Sequence, residues 1–174
     1  GDVAVQAVDL AAEGITRVEI DLAGAGDTVN FGAVAASPGL AGLVVDDTGA
    51  AGTDTVNVNG AIAVGGEFSI AGVEATVLAN NITTTADQTF NTPITLANNI
   101  TITAPNVTFA STINADDATA NNRTLTVTAT GGTVTFAGNV GTTQALADLD
   151  VTSATIRLNA ATYQVDDQGG NTVT

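Results

Sequence analysis

Short runs in which every second side chain is apolar recur throughout this chain. Successive side chains of a β-strand point to opposite faces, so each such run has one apolar and one polar face. β-Branched residues occupy both faces, and these residues favour strands over helices. The clearest runs are residues 18–22, 56–59, 94–96, 100–103, 107–109, 125–128 and 134–136. The pattern predicts an all-β protein with a strand share well above the usual value of roughly 20–25%.

The alternation also predicts which side chains form the core. Eight apolar residues are expected to be buried: Val56, Val58, Ile100, Ile102, Leu125, Val127, Val134 and Phe136. Their polar neighbours are expected to face solvent: Asn57, Thr101, Thr126 and Thr135. Pairs of Gly or Asn separate the runs and are typical of turns. The single helical pattern, at residues 8–12, is cut short by Gly14, so we expect a turn there.

Internal repetition is the second strong feature of the sequence. Residues 55–88 match residues 133–168, so a unit of about 80 residues recurs. Val134 lies 78 positions after Val56, and after a three-residue insertion Leu149 lies 81 positions after Phe68. We therefore expect residues 1–174 to form a single repetitive segment.

The number of short strands decides between two all-β architectures. A β-sandwich of ordinary size holds roughly seven to nine strands in ~100 residues, whereas this chain has patterns for about 18–20. A parallel β-solenoid uses many short strands, about three per coil, and each coil satisfies its backbone against the next. We therefore predict a parallel β-solenoid and keep the β-sandwich as the alternative.

The composition excludes several classes of partner. Eighteen acidic residues and three arginines give a net charge of −15, and there is no lysine. Nucleic acids and anionic membrane surfaces attract basic segments, so neither is an expected partner. No apolar stretch is long enough to cross a bilayer, so no membrane insertion is expected. Because only six residues are aromatic, we expect Val, Ile, Leu and Ala to build the core.

Residues 82–174 carry motifs that resemble a known family. The motifs are Gln88-Thr89-Phe90, Val107-Thr108-Phe109, Val134-Thr135-Phe136 and the closing Gly138-Asn139-Val140-Gly141. Together they resemble the β-helical repeats of large bacterial surface adhesins of the filamentous haemagglutinin type. The resemblance implies a right-handed parallel β-helix, secretion to the cell surface, and a role as a stalk, fibre or adhesive rod.

Three acidic pairs, each leading into a polar loop, are candidate calcium sites. They are Asp46 and Asp47, Asp116 and Asp117, and Asp166 and Asp167. Carboxylates and the backbone carbonyls of turns are the hard oxygen ligands that calcium prefers. Binding at these pairs would make the chain a calcium-stabilised surface-layer or adhesin module. The alternative role of the pairs is a solvated acidic face that prevents aggregation of strand edges.

An enzymatic function is not expected. A β-helix glycan hydrolase needs two carboxylates at a set separation, but adjacent acids on a strand point to opposite faces, and these pairs recur at equivalent places. A lyase needs a basic group, and the only cations are Arg17, Arg123 and Arg157. The absence of His and Cys excludes His-based triads, Cys nucleophiles and His- or Cys-bearing zinc sites.

These patterns favour a structural or adhesive segment of an extracellular, fibre-forming repeat protein. A solenoid has two open ends with unpaired backbone groups, and strand patterns lie near both ends of this chain. We therefore expect either continuation of a longer repeat array or end-to-end self-association into a filament through residues 1–8 and 165–174. Outward rows of threonine are candidate surfaces for host or surface glycans, although β-propensity and solubility also explain them.

Overall fold

The computed structural model describes residues 3–5, 14–24, 26–49, 52–116, 123–166 and 172–173. In this part of the chain the protein is all-β, with 18 strands and no helix. Every strand pairing in it is parallel, which confirms the solenoid and contradicts the sandwich. The turn expected at residues 8–12 lies outside the described residues.

Each coil has three strands, and equivalent strands of successive coils stack into three columns. The first column contains β1 (Val3–Val5), β3 (Thr28–Phe31), β6 (Thr55–Val58), β9 (Ala75–Leu78), β12 (Ile94–Leu96) and β15 (Ile113–Ala115). The second contains β4 (Val34–Ser37), β7 (Ile62–Val64), β10 (Ile82–Thr84) and β13 (Ile100–Thr103). The third contains β2 (Arg17–Asp21), β5 (Gly42–Asp46), β8 (Glu67–Ala71), β11 (Gln88–Asn91) and β14 (Val107–Phe109).

Two long strands then continue the second and third columns together. They are β16 (Thr124–Phe136) and β17 (Asp148–Leu158), and the short β18 (Thr172–Val173) pairs with β17. The six strands of the first column correspond to about six turns of solenoid. The right-handed sense of the coil, which the family resemblance implies, stays a prediction.

The coils differ in length, and the differences are confined to corners. Along the first column, stacked partners are separated by 27, 20, 18, 19 and 27 residues, running from Val29 through Val56, Thr76, Ile94 and Ile113 to Val140. The long coils carry the corner segments 47–54 and 116–123, which lie between strands. Insertions of this kind leave the hydrogen-bonded columns in register.

The structural repeat is the coil and not the 80-residue unit. Val56 lies in β6 of the first column, whereas Val134 lies in the part of β16 that pairs with β14 in the third. Phe68 lies in the third column, but Leu149 lies in the part of β17 that continues the second. The match between residues 55–88 and 133–168 therefore relates strands of different columns rather than stacked positions.

The core follows the predicted alternation. All eight predicted core residues are at most 1% exposed, from Val56 to Phe136. Among the predicted outward residues, Thr101 is exposed, whereas Asn57, Thr126 and Thr135 are half-buried. The outward side chains are partly covered because each strand has a parallel neighbour in the coils before and after it.

All six aromatic residues of the chain form one continuous internal stack, which the aliphatic core expected from composition did not include. Neighbouring ring centroids lie 5.0–6.4 Å apart, through Phe31, Phe68, Phe90, Phe109, Phe136 and Tyr163. The five phenylalanines are at most 1% exposed. The stack runs along the third column and receives Phe31 and Tyr163 from the first, so it ties successive coils together.

Glycines allow neighbouring coils to approach closely at the corners. A Cβ added to Gly66 would lie 1.9 Å from the carbonyl carbon of Ala41, in the preceding coil. No side chain fits at that distance, so Gly66 is required by the close approach of two backbones.

Candidate cation site

The structure places the predicted calcium ligands at strand ends and corners. Asp46 ends β5, Asp47 begins the corner segment 47–54, Asp116 follows β15, and Asp166 follows the bridge between Leu146 and Val165. The remaining two, Asp117 and Asp167, lie outside the described residues. These positions separate the predicted ligands into different environments.

Asp116 is engaged by an arginine. Its two carboxylate oxygens accept hydrogen bonds from Arg123 Nε at 2.8 Å and from a terminal nitrogen of the same guanidinium at 2.6 Å. The side chains are 27% and 19% exposed, so the pair is partly shielded from water. The hydrogen bonds from Arg123 hold the pKa of Asp116 below its usual range and raise that of Arg123. Asp116 is thus already charge-paired.

A second group of acids lies at one corner of three successive coils. Asp27, Asp54 and Glu74 each come directly before a strand of the first column, namely β3, β6 and β9. The pairing registers Thr28 with Thr55 and Thr55 with Ala75, so the three acids stack above one another. Their sequence separations are unequal because the coils differ in length.

The stacked acids cap one another's backbone. The N–H of Asp27 donates to Oδ1 of Asp54 at 2.5 Å, and the N–H of Asp54 donates to Oε2 of Glu74 at 2.7 Å. Each carboxylate therefore accepts the backbone donor of the equivalent residue in the coil before it. These charge-assisted bonds orient the Asp54 and Glu74 side chains.

Asp47 completes a cluster that we call the acidic corner, defined as Asp47, Asp54 and Glu74. One carboxylate oxygen from each lies within 4.8 Å of the others. Asp47 is half-buried and Glu74 is exposed, whereas Asp54 is 0% exposed. The second oxygen of Asp54, Oδ2, is buried and accepts no hydrogen bond. Three oxygen ligands with an unsatisfied buried member form the donor set of a hard cation.

The sequence predicted one member of the acidic corner and missed two. Asp47 belongs to a predicted pair, but its partner Asp46 lies outside the cluster, at the end of β5. Asp54 and Glu74 were missed because they are single acids with no neighbouring acid. The available signal was positional, since each directly precedes a first-column strand.

The largest depression in the described part of the chain lies on the outer face of the first column. It has a volume of about 570 Å³ and is lined by Thr95, Asn114, Ala115, Asp116, Thr143 and Gln144. Asp116 is the sole acid among these lining residues, and it is bound to Arg123. A pair of facing carboxylates is what glycoside hydrolysis requires, and this lining does not supply one.

Comparison of the chain with family models, with curated proteins and with solved structures gives no significant match. The described residues include no helix long and apolar enough to cross a membrane. The fold defines the chain as a parallel β-solenoid, and the adhesin resemblance stays a hypothesis.

Proposed function

We propose that this chain is a non-catalytic, structural segment of a secreted surface or fibre-forming repeat protein, in which stacked coils form a rod. The observation that carries the proposal is the unbroken stacking of the coils. Parallel hydrogen-bonded columns and one internal aromatic stack run through about six turns without an intervening domain. Such a column transmits length and stiffness rather than enclosing a substrate.

The open ladder edges support a role in extended assembly. β1 pairs only with β3, and β18 pairs only with β17, among the described strands. The free side of each edge has backbone groups that another parallel strand can satisfy. We propose that this strand comes from further coils of the same polypeptide or from a second copy, so that rods join end to end.

The surface chemistry supports an extracellular rod more than a nucleic-acid or membrane partner. The net charge of −15 keeps rods soluble and repels anionic polymers. Outward positions of stacked strands carry threonine rows, such as Thr89, Thr108 and Thr135 in the third column. Hydroxyl rows of this kind are the surface that we propose for contact with host or surface glycans.

Imaging and sedimentation of the purified chain test the proposal. We expect particles of constant width whose lengths are multiples of about 30 Å, since six turns at ~4.8 Å each give that length. Analytical ultracentrifugation over a concentration series should show species heavier than 17.1 kDa. A single species of 17.1 kDa at every concentration would overturn end-to-end assembly.

Variants at the ladder edges provide the control. Ala4→Pro in β1 and Val173→Pro in β18 remove a backbone donor from each edge and should shift the chain to the single species. Thr89→Lys changes the lateral face of β11 and should leave assembly intact. Loss of the long particles in the lateral variant, with the edge variants unaffected, would contradict the proposal.

A further inference from the structure

We propose that the acidic corner binds a calcium ion that joins three successive coils of the solenoid. Asp47 belongs to the coil that contains β5, Asp54 to the next coil through β6, and Glu74 to the one after through β9. A cation held by all three would link coils that are otherwise connected by backbone hydrogen bonds and core packing. This site is independent of whether the chain acts as a rod.

The carboxylates are held in position by backbone donors. Asp54 and Glu74 each use one oxygen to accept an N–H from the preceding coil, at 2.5 and 2.7 Å. Asp47 uses Oδ1 to accept the N–H of Gly49 at 2.8 Å. In each case the backbone bond involves one oxygen and leaves the other for a ligand. Outer hydrogen bonds of this type orient metal ligands and strengthen binding.

The burial of Asp54 indicates that something must neutralise this corner. Asp54 is 0% exposed, and its Oδ2 has no hydrogen-bond partner. A buried carboxylate without a partner is costly, and two further carboxylates within 4.8 Å add repulsion. A divalent cation at Oδ2 removes both penalties.

The protein itself has no cation to place at this corner. The chain contains no Lys or His and only three arginines. Arg17 bonds Glu19 and Glu67, Arg123 bonds Asp116, and Arg157 lies in β17, in a different part of the rod. The neutralising charge must therefore come from solution.

The donor set favours calcium over other metals. All three ligands are oxygens, and the chain has no Cys or His to select zinc or copper. At Ca–O distances of about 2.3–2.6 Å, ligands on opposite sides of the ion lie up to about 5 Å apart, which accommodates the 4.8 Å span. Magnesium requires about 2.0–2.1 Å and stricter geometry, so the carboxylates would have to move together. The exposed side of Glu74 admits water to complete the coordination.

A glycine lets the third coil reach the site. Gly72 has a φ of +79°, and a Cβ there would lie 2.6 Å from the carbonyl oxygen of Asp47. The N–H of Asp47 donates to Ala71 O at 3.2 Å, so the corner before Glu74 packs directly on Asp47. Glycine at this position has the freedom in φ and the small volume that this packing needs.

Titration of the chelator-treated chain with calcium chloride tests the proposal. We expect calcium-dependent heat with one tight site and a rise in melting temperature, because a ligand that binds only the folded state stabilises it. Magnesium chloride at the same concentration should give a smaller rise. Neither heat nor a shift in melting temperature with calcium would overturn the proposal.

Isosteric variants locate the site. Asp54→Asn and Glu74→Gln keep an oxygen for the backbone N–H but remove a charged ligand, and each should weaken calcium binding by about tenfold or more. Without calcium, Asp54→Asn should be at least as stable as the wild type, since an uncompensated buried charge is gone. This readout also shows that the variant folds.

Two matched acids serve as controls. Asp46→Asn changes the sequence neighbour of Asp47, and Asp87→Asn changes an exposed acid before β11. Both should retain calcium binding. Binding that survives in Asp54→Asn and in Glu74→Gln, or that is lost in the controls instead, would place the ion elsewhere and overturn the acidic corner.

Discussion

At the scale of single residues, short polar side chains replace backbone hydrogen bonds wherever a corner interrupts the ladder. Asn106 Oδ1 accepts the N–H of Thr133 at 2.8 Å, and Asn139 Oδ1 accepts those of Ala161 and Thr162 at 3.1 Å each. The carboxylate of Asp54 does the same for Asp27. Because every backbone donor needs a partner, such residues let coils of unequal length share one stack.

The Asp116–Arg123 pair gives a prediction about pH at this scale. The folded-state pKa of Asp116 is lowered by Arg123, so the pair contributes stability above the unfolded carboxyl pKa of about 3.9 and loses it as pH falls through the lower folded value. Asp116→Asn should therefore cost about 1 kcal/mol at pH 7, and the difference from wild type should shrink below about pH 4. Urea unfolding at a series of pH values measures this.

A double-mutant cycle separates the ion pair from other effects of the substitution. Arg123→Gln should cost a similar amount at pH 7, and adding Asp116→Asn to it should cost little more. The exposed Arg157→Gln is the control and should stay within about 0.5 kcal/mol of wild type. Fully additive losses, or a cost of Asp116→Asn that persists unchanged at pH 2, would contradict the assignment.

At the scale of strands, the sequence predicts what depends on neighbours along the chain and misses what depends on neighbours in other coils. The period-two pattern identified the inward faces of strands such as β6 and β13 correctly. The acidic corner was missed because Asp27 and Asp54 are 27 residues apart, whereas Asp54 and Glu74 are 20 apart. Coils of variable length leave no constant period that would bring such residues together on inspection.

The aromatic stack was missed for the same reason, and it supplies a prediction at the strand scale. Phe109 lies between Phe90 and Phe136, with centroids 5.4 and 5.0 Å away. Phe109→Ala should cost about 3–5 kcal/mol, since it removes a fully buried ring and leaves a cavity between two coils. Phe109→Leu should cost clearly less. Denaturant unfolding followed by circular dichroism measures both.

The exposed Thr101→Ala is the matched control for this pair, because it lies on an outward face of β13 and should change stability by no more than about 0.5 kcal/mol. A cost for Phe109→Ala no larger than that of Thr101→Ala would show that the stack does not hold the coils together.

At the scale of the whole molecule, each coil contacts mainly the coils before and after it. Stability in such an array is the sum of the stabilities of the coils and of their interfaces, so it varies along the rod. The coils of 18–20 residues between Val56 and Ile113 have the shortest corners, whereas the flanking coils of 27 residues carry the segments 47–54 and 116–123. A larger share of the backbone is paired in the short coils.

This variation predicts a gradient of amide protection along the rod. Strands β9 to β14 should exchange hydrogen most slowly, because their coils combine short corners with the centre of the aromatic stack, while β2 and the distal part of β17 should exchange faster. Phe109→Ala should lower protection in β11, β14 and β16, the strands that pair with or adjoin its own, and leave β3 largely unchanged. Native-state hydrogen exchange read by mass spectrometry resolves these segments. Uniform protection along the chain, or an equal loss in β3 and β14 on substitution, would show that the rod unfolds as one cooperative unit and not coil by coil.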